Sequence, residues 1–461
     1  MKPRALSSGA HIFLFVCGVL LAYATGALAE DSKPPSPQPT QSSPARPLPD
    51  YDGRSDSTSV GETLLWIPRI VLSPLYLVSE YVVRRPLEFV VTEAERAQLP
   101  EAIYNLFLFG PNHSAGVLPI AFVDFGFLPS LGLYFFWNDF IPHHDLQVRG
   151  STFGIRWLSG AISDRIHIDP VTDLVLSANA IRRPDLQFYG VGSDTLQSAK
   201  SRYGASRLEA NVALELKLGK YSRLTSHLGM RSVHFHRGGF GGNPLLEDQV
   251  AQGIYPEPDW YDSGYTMLTN MVQLALDTRQ ARPASGSGVR LEARVEQLSE
   301  LKPAIGSGIL RYGGSAGGFW DVGPSGRVLS LSLATNFVDP LRKGSSIPFT
   351  ELAEIGGGEL MRGFLLGRLY GRSLAVATLR YRWPVWVWLD GSIQVALGNV
   401  FDEHFANIAP KKLRFSGSIG VESVGSPDSS LELLLGIGSE TFEHGGQITS
   451  LRFVVGTNHG F

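Results

Sequence analysis

Apolar and polar residues alternate with a period of two along most of the chain from about residue 102 onward. In Arg207–Lys217, every second residue from Leu208 to Leu216 is apolar, and mostly charged or polar residues stand between them. Successive side chains of a strand point to opposite faces, so this pattern predicts a strand with one apolar and one polar face. Further segments with the same alternation are Val289–Gln297, Ser373–Pro384, Arg414–Glu422, Leu431–Ile437 and Ser450–Phe461.

The polar face of these segments carries charges, and this favours one class of β protein over another. Val289–Gln297 places Arg290, Glu292, Arg294 and Glu296 on one face. A water-soluble sandwich would show the same period, but a globular core would not hold so many charges. The wet lumen of a membrane barrel accommodates them. We therefore predict an all-β fold, a transmembrane β-barrel that occupies residues 102–461.

The connections between the predicted strands sort by length. Short ones such as Gly219-Lys220 and Gly425–Asp428 mostly alternate with long ones such as Arg237–Gly264 and Pro340–Arg372. Outer-membrane barrels have short periplasmic turns and long outer loops. Roughly 15 or 16 segments can be counted, and we predict sixteen antiparallel strands because such barrels have an even number.

Composition narrows the possible partners and chemistry. The chain has 461 residues, 51 Gly, 29 Pro and a formal net charge of −3, which argues against a nucleic-acid partner. After the leader, no apolar run reaches the roughly 20 residues of a spanning helix, so strands must cross the membrane. The single cysteine, Cys17, lies inside the predicted leader, so the mature chain is expected to have no disulfide, thiol catalysis or cysteine metal site.

The N-terminal region divides into three predicted segments. Residues 1–29 are typical of a secretory signal peptide, with Lys2 and Arg4 before an apolar core and Ala29 at the cleavage site. Residues 30–60 are rich in Pro, Ser and Gln and predict a disordered tether. Residues 61–101 predict short amphipathic helices, which either pack on the periplasmic mouth or plug the barrel, or lie in the inner leaflet with basic residues at headgroups.

One glycine-rich stretch stands out before the strand Ser373–Pro384. Gly356, Gly357 and Gly358 allow the backbone to turn through positive φ, and the stretch continues into Arg362-Gly363-Phe364. This sequence predicts a loop folded inward, with a cation and an aromatic ring directed the same way. The supporting residues of the motif are Arg368, Gly371, Gly398 and Asn399, the last two within Gly398-Asn399-Val400-Phe401-Asp402.

These residues resemble those of the bacterial surface antigen family, the BamA/TamA-like superfamily of outer-membrane assembly and translocation barrels. The resemblance covers roughly the last three quarters of the chain. It implies sixteen strands, insertion of the Arg362 loop into the lumen, a weakly paired seam between the first and last strands, and action without nucleotide or other cofactor. The terminal Phe461 resembles the signal by which barrels are recognised for insertion. Larger members carry periplasmic POTRA repeats, for which Asp31–Pro100 offers neither the length nor the alternation.

The family also places acidic partners of the loop arginine at two positions that are Arg380 and Ala396 in this chain. Neither residue accepts the hydrogen bonds of an arginine, so another carboxylate must pair with Arg362. The candidates on the predicted lumen face are Asp277, Glu292, Glu296, Asp390, Glu422 and Glu432.

Other motifs give no support for an enzyme or a metal site. Gly313-Gly314-Ser315-Ala316-Gly317 satisfies the spacing of a hydrolase nucleophile elbow, but that motif needs a strand-to-helix turn and no helical sequence follows. His234 and His236 share a strand face, but the sequence places no third ligand beside them.

The sequence thus predicts an outer-membrane barrel of a Gram-negative bacterium, exported through the periplasm. It is expected to insert or translocate a protein or lipid client, to contact outer-membrane lipid and to act as a monomer. The alternative is a passive channel or structural barrel that has lost assembly activity. An occluded lumen with a short seam favours assembly, and an open bore favours a channel.

Overall fold

The computed structural model describes residues 106–279, 286–301, 308–322, 326–386, 389–423 and 431–457. The predicted signal peptide, tether and helical segment, residues 1–101, lie outside the described residues, as does Phe461. Strands dominate the part of the chain that is described. No helix within it is both long enough and apolar enough to span a membrane.

The strands follow one another along the chain with short or long connections. Their bounds are β1 (Leu108–Phe109), β2 (Ala115–Asp124), β3 (Ser130–Ile141), β4 (His144–Thr152), β5 (Leu158–Asp169), β6 (Thr172–Phe188), β7 (Ser201–Lys217), β8 (Arg223–His236), β9 (Tyr265–Asp277), β10 (Gly288–Glu300), β11 (Gly308–Asp321), β12 (Val328–Pro340), β13 (Ala353–Ile355), β14 (Leu369–Gly371), β15 (Ser373–Trp386), β16 (Leu389–Phe401), β17 (Arg414–Ser423), β18 (Leu431–Ser439) and β19 (Ile448–Thr457). A six-residue helix, α1 (Leu246–Ala251), lies between β8 and β9.

Sixteen of these strands, β2–β12 and β15–β19, form one closed antiparallel barrel. Each wall strand pairs with its neighbours along the chain, and β19 pairs with β2 to close the ring. β1 adds a two-residue pairing to the start of β2, and β13 and β14 form a separate small hairpin. The prediction of an all-β, sixteen-stranded antiparallel barrel is confirmed.

The two faces of the wall differ in chemistry, as the alternation predicts. Leu208 and Val212 of β7 are 47% and 50% exposed on the outer face. Between them, Glu209 points the other way and forms an ion pair with Arg231 of β8. The exposed apolar row continues around the barrel through Leu228, Val272, Leu291, Val295, Leu331, Leu333, Leu379, Val395, Leu433 and Leu435. The outer face therefore suits lipid and the inner face suits water.

Several strands are longer than the alternation indicates. β7 begins at Ser201, six residues before the predicted segment Arg207–Lys217. Residues 201–205 are all buried, so no exposed face marks them as a strand. The connection 237–264 covers them: the Arg202 amide donates to the Pro244 carbonyl, and Tyr203 packs against Tyr261.

The longest connections leave the same end of the barrel, because the strands are antiparallel. The connection 341–372 between β12 and β15 contains β13, β14 and the Arg-Gly-Phe sequence, and we call it the motif loop. Met361, Phe364 and Leu369 of the motif loop are almost fully buried. They belong to one apolar cluster with the wall residues Val338, Leu374, Val376, Ala396 and Val400. The core of the molecule thus lies between this loop and the wall.

Candidate functional site

The glycine run of the motif loop makes a tight turn at its first two residues. Gly356 has φ 138° and Gly357 has φ 71°, a region that side chains rarely adopt. A Cβ at Gly356 would also clash with the Leu365 carbonyl. Gly358 differs, because a Cβ there would meet nothing within 4 Å. The turn therefore needs glycine at two of the three positions.

Gly363 lies in direct backbone contact with β18. Its amide donates to Ser416 Oγ at 2.9 Å, and its carbonyl accepts from Ser450 Oγ at 2.9 Å. A Cβ at Gly363 would overlap the Ile437 carbonyl, and a Cβ at Gly436 would lie 2.8 Å from the Gly363 Cα. Two facing glycines thus let the loop touch the strand.

The ring of Phe364 occupies the next space along β18. It is fully buried, and a Cβ at Gly438 would clash with the ring. The sequence analysis did not identify Gly436 or Gly438 as parts of the site. Their signal was a pair of glycines two residues apart in a leucine-rich strand, which places both on one face.

Arg362 is surrounded by carboxylates. Its guanidinium lies 2.6 Å from Glu359, 3.1 Å from Glu432 and 3.7 Å from Glu422. Burial lowers the pKa of Arg362, but these three negative charges more than offset that effect and raise the pKa above its usual value. Arg362 therefore stays charged, and it joins the loop to β17 and β18.

Arg380, at a position where the family resemblance implies an acid, shares these carboxylates. It forms an ion pair with Glu422 and lies 3.4 Å from Glu359. The negative groups between Arg380 and Arg362 offset the repulsion between the two cations. Glu359 comes from the motif loop itself, and the sequence analysis did not consider it as a partner.

Of the six candidate partners, the structure brings two to Arg362. Glu422 and Glu432 lie beside it, whereas the other four pair with different arginines. Asp277 binds Arg279, Glu292 binds Arg290, Glu296 binds Arg294 and Arg311, and Asp390 lies 3.9 Å from Arg382. Ala396 is buried in the apolar cluster.

A second anchor holds the opposite end of the motif loop. Glu351 is 2% exposed and lies 2.6 Å from both Arg231 of β8 and Arg311 of β11. Tyr265 donates a further hydrogen bond to it at 2.5 Å. Burial raises the pKa of Glu351, but the two arginines more than offset this and lower it to about 2. Sequence reasoning missed this anchor, because Glu351 lies outside the glycine-rich motif.

The supporting motif residues have structural positions at the loop end of the barrel. Arg368 stacks on the Tyr189 ring at 4.7 Å and pairs with Glu440 at 3.1 Å. Asn399 donates to the carbonyls of Ser193 and Lys412 at 3.0 and 2.6 Å. At Gly371 a Cβ would lie 2.7 Å from the Val400 Cβ, and at Gly398 it would clash with the Ala375 carbonyl.

The pairing between the last and first wall strands is short. β19 pairs with β2 at Val454↔Asp124, Val455↔Val123 and Gly456↔Phe122. On its other side, β19 pairs with β18 from Leu431↔Thr457 to Ser439↔Ile448. We call the β19–β2 boundary the seam. Gly456 has φ 137° there, so the last strand departs from regular geometry where it pairs.

A polar cavity lies on the wall strands β3–β7. Its volume is about 330 Å³, and it lies away from the Arg362 anchor. Polar and charged side chains line much of it, among them Tyr134, Gln147, Arg149, Arg207 and Glu209.

The remaining sequence motifs lie on wall strands. Ser315 lies in the middle of β11, with strand on both sides, and its hydroxyl donates to Glu292 at 3.3 Å. His234 and His236 lie on β8, and His236 Nδ1 contacts the Arg237 carbonyl. Within the described residues, no group of His, Cys, Asp and Glu is arranged to hold a metal ion.

Comparison with known proteins gives one family match and several structural neighbours. Residues 172–458, more than half of the chain, match the Omp85 superfamily domain. No curated protein sequence matches the chain. The chain is similar in fold to BamA from Haemophilus ducreyi lacking POTRA domains 1–3, with 14% identity and a TM-score of 0.51 over 75% of this chain and 70% of that one.

Two structures of CdiB are also similar, although at lower TM-scores. CdiB from Acinetobacter baumannii is 14% identical with a TM-score of 0.45, over 74% of this chain and 60% of that one. CdiB from Escherichia coli is 13% identical with a TM-score of 0.48, over 76% and 64%. The chain therefore spans less than two thirds of either CdiB structure.

Proposed function

This chain belongs to the Omp85 superfamily, and from that premise we propose that it inserts or translocates protein clients at the outer membrane. Barrels of this superfamily are outer-membrane proteins of Gram-negative bacteria, generally non-enzymatic transport or assembly proteins. The proposed client is an unfolded outer-membrane or secreted protein. The barrel acts as a monomer in outer-membrane lipid, after export through the periplasm, and needs no cofactor or catalytic residue.

The observation that carries this proposal is the short seam. Only three residue pairs are described between β19 and β2, and a protein hydrogen bond contributes about 1 kcal/mol net. Separating these strands therefore breaks less backbone pairing than separating any pair joined along its full length. An opened seam exposes unpaired backbone groups, to which an extended client segment can add as a strand.

The motif loop has a supporting role in the proposal. Arg362, Gly363 and Phe364 contact β17, β18 and β19, the strands nearest one side of the seam. We infer that the loop acts as a plug in the lumen, held by Arg362 at one wall and Glu351 at the other. In that position it blocks free diffusion while the seam remains able to separate.

A disulfide across the seam tests the proposal directly. Val123 and Val455 face each other in the β19–β2 register, and cysteines there would crosslink the two strands. In liposomes, the oxidised Val123→Cys/Val455→Cys protein should fail to accelerate insertion of an unfolded β-barrel protein. Reduction should restore the rate.

A matched disulfide within the wall serves as the control. Leu435 and Phe453 face each other across the fully paired β18–β19 boundary. Oxidised Leu435→Cys/Phe453→Cys protein should insert the client at the unmodified rate. Equal insertion by the seam-crosslinked and control proteins would contradict the assembly role.

The cavity along β3–β7 favours a second candidate function, passage of small polar solutes. Its polar lining continues the wet inner face beside the motif loop. A passive channel of this kind would conduct steadily and would not need the seam to open.

A further inference from the structure

Arg452 of β19 occupies the point where the seam and the motif loop meet. Its side chain is 4% exposed and points into the barrel, since the neighbouring residue Leu451 is 66% exposed on the outer face. Asp124, at the end of β2, is equally buried and faces it from across the seam. The side chain of Arg452 thus reaches the first and the last strand at once.

The guanidinium of Arg452 binds both strand and loop. Its Nε and Nη2 donate to Asp124 Oδ2 at 3.1 and 3.0 Å, a fork on one carboxylate. Its Nη1 donates to the Arg362 carbonyl at 3.2 Å, and Nη2 also donates to the Gly357 carbonyl at 3.2 Å. The two loop carbonyls flank the segment that contains Glu359.

This arrangement makes each contact depend on the other. If β2 leaves the seam, Arg452 loses the carboxylate that it binds directly, and only the more distant charges of Glu359 and Glu432 offset its buried charge, which is costly. Arg452 must then turn towards water and release the carbonyls of Gly357 and Arg362. If the loop leaves instead, Arg452 loses two acceptors and its cover, which weakens its hold on Asp124.

We propose that Arg452 is a positioning residue that couples docking of the motif loop to closure of the seam. Docking of the loop and closure of the seam are then linked by a coupling free energy. A change confined to β2 therefore alters the fraction of molecules in which the loop is docked. This coupling rests on the proposed function only in taking the seam as the part of the barrel that opens. Its test uses no client protein. Its failure is therefore distinguishable from failure of the insertion activity.

The test measures exposure of the loop after a change across the seam. Met361, which is 1% exposed within the loop, is replaced by cysteine in a full chain that also carries Cys17→Ser. A membrane-impermeant methanethiosulfonate reagent then labels the thiol only when the loop leaves the wall. Asp124→Asn should raise the labelling rate at least about fivefold, the lower end of usual coupling between sites.

Asp173→Asn is the matched control. Asp173 is a buried wall carboxylate that pairs with Arg165 and Lys217 near the opposite end of the barrel. The same substitution there should leave the labelling rate of the loop unchanged. Heat-modifiable gel migration shows in each case that the barrel has folded.

A double variant shows whether the coupling runs through Arg452 or through a second contact between the end of β2 and the loop. Gly126, just after β2, lies close to Leu365 of the loop, and a Cβ there would be 3.0 Å from the Leu365 side chain. In an Arg452→Gln background, which itself should label faster, Asp124→Asn should add little. The coupling through Arg452 is overturned if Asp124→Asn leaves labelling unchanged, or raises it equally in both backgrounds.

Discussion

Arg362 and Arg380 point towards the same carboxylates, and this explains how a basic residue at position 380 fits beside Arg362. Glu422 and Glu359 lie between the two cations, and Glu432 binds Arg362 from the other side. The motif loop therefore brings a carboxylate of its own to the site. A loop arginine with a basic neighbour is stable here because three acids surround two bases.

Protonation of Glu351 makes the stability of the docked loop depend on pH. Its pKa is lowered from 4.5 to about 2, so it stabilises the docked loop above pH 4.5, and this stability is lost as the pH falls towards 2. The shift corresponds to about 3 kcal/mol. We expect Glu351→Gln to lower the midpoint of heat-induced loss of folded gel migration at neutral pH, with the difference from wild type shrinking in acid.

A second variant serves as the control for the titration of other carboxylates. Asp277→Asn also removes a wall carboxylate, but one that pairs with Arg279 on its own strand end and does not contact the motif loop. It should show a smaller effect on the midpoint. A constant difference between wild type and Glu351→Gln at every pH would contradict the assignment of this titration to Glu351.

At the scale of single elements, β18 is the strand that receives the motif loop. Gly436 and Gly438 leave room on its inner face, while Leu433 and Leu435 face outward. The strand therefore combines a lipid face with a surface shaped for backbone contact. A glycine weakens a strand on its own, and here the loop occupies the space that a side chain would fill.

Gly436→Ala tests this shape. Its Cβ would lie 2.8 Å from the Gly363 Cα, so the loop must shift, at a cost of about 1–3 kcal/mol for overpacking. We expect faster thiol labelling of the Met361→Cys loop. Gly150→Ala on β4, where a Cβ meets nothing within 4 Å, should leave labelling unchanged.

The sequence predicted elements where one face is wet and the other meets lipid. β10, β15 and β18 follow the alternation of their sequence for that reason. It did not predict the start of β7, because residues 201–205 are buried on both faces and the alternation disappears. Nor did it predict the short hairpin of β13 and β14, whose three-residue strands are too short for a periodic pattern.

At the scale of the whole molecule, the motif loop is held at two walls of the barrel by ion pairs of opposite sense. Glu351 meets arginines of β8 and β11, and Arg362 meets carboxylates of β17 and β18. Single-residue motifs in the sequence did not reveal this, since each wall pairs residues far apart in the chain.

Single-channel conductance of the refolded protein tests whether the loop blocks the bore. In planar bilayers we expect low, flickering currents that rise in Arg362→Ala, because the loss of this anchor removes the arginine that pairs with the buried Glu432 and frees the loop. A large, steady conductance that is the same in both proteins would favour the passive channel and remove the role assigned to Arg362. Heat-modifiable migration confirms that each barrel has formed.

The position of the anchors also sets an order for folding. Residues 356–364 precede β18 and β19 in the chain, yet their partners Glu432, Ser450 and Arg452 belong to those final strands. Although the loop also contacts earlier strands, it cannot complete its docking until the C-terminal hairpin has joined the sheet. Its settling is therefore a late event of biogenesis, and a protease that cleaves only the unsettled loop would distinguish newly made, incomplete barrels from finished ones.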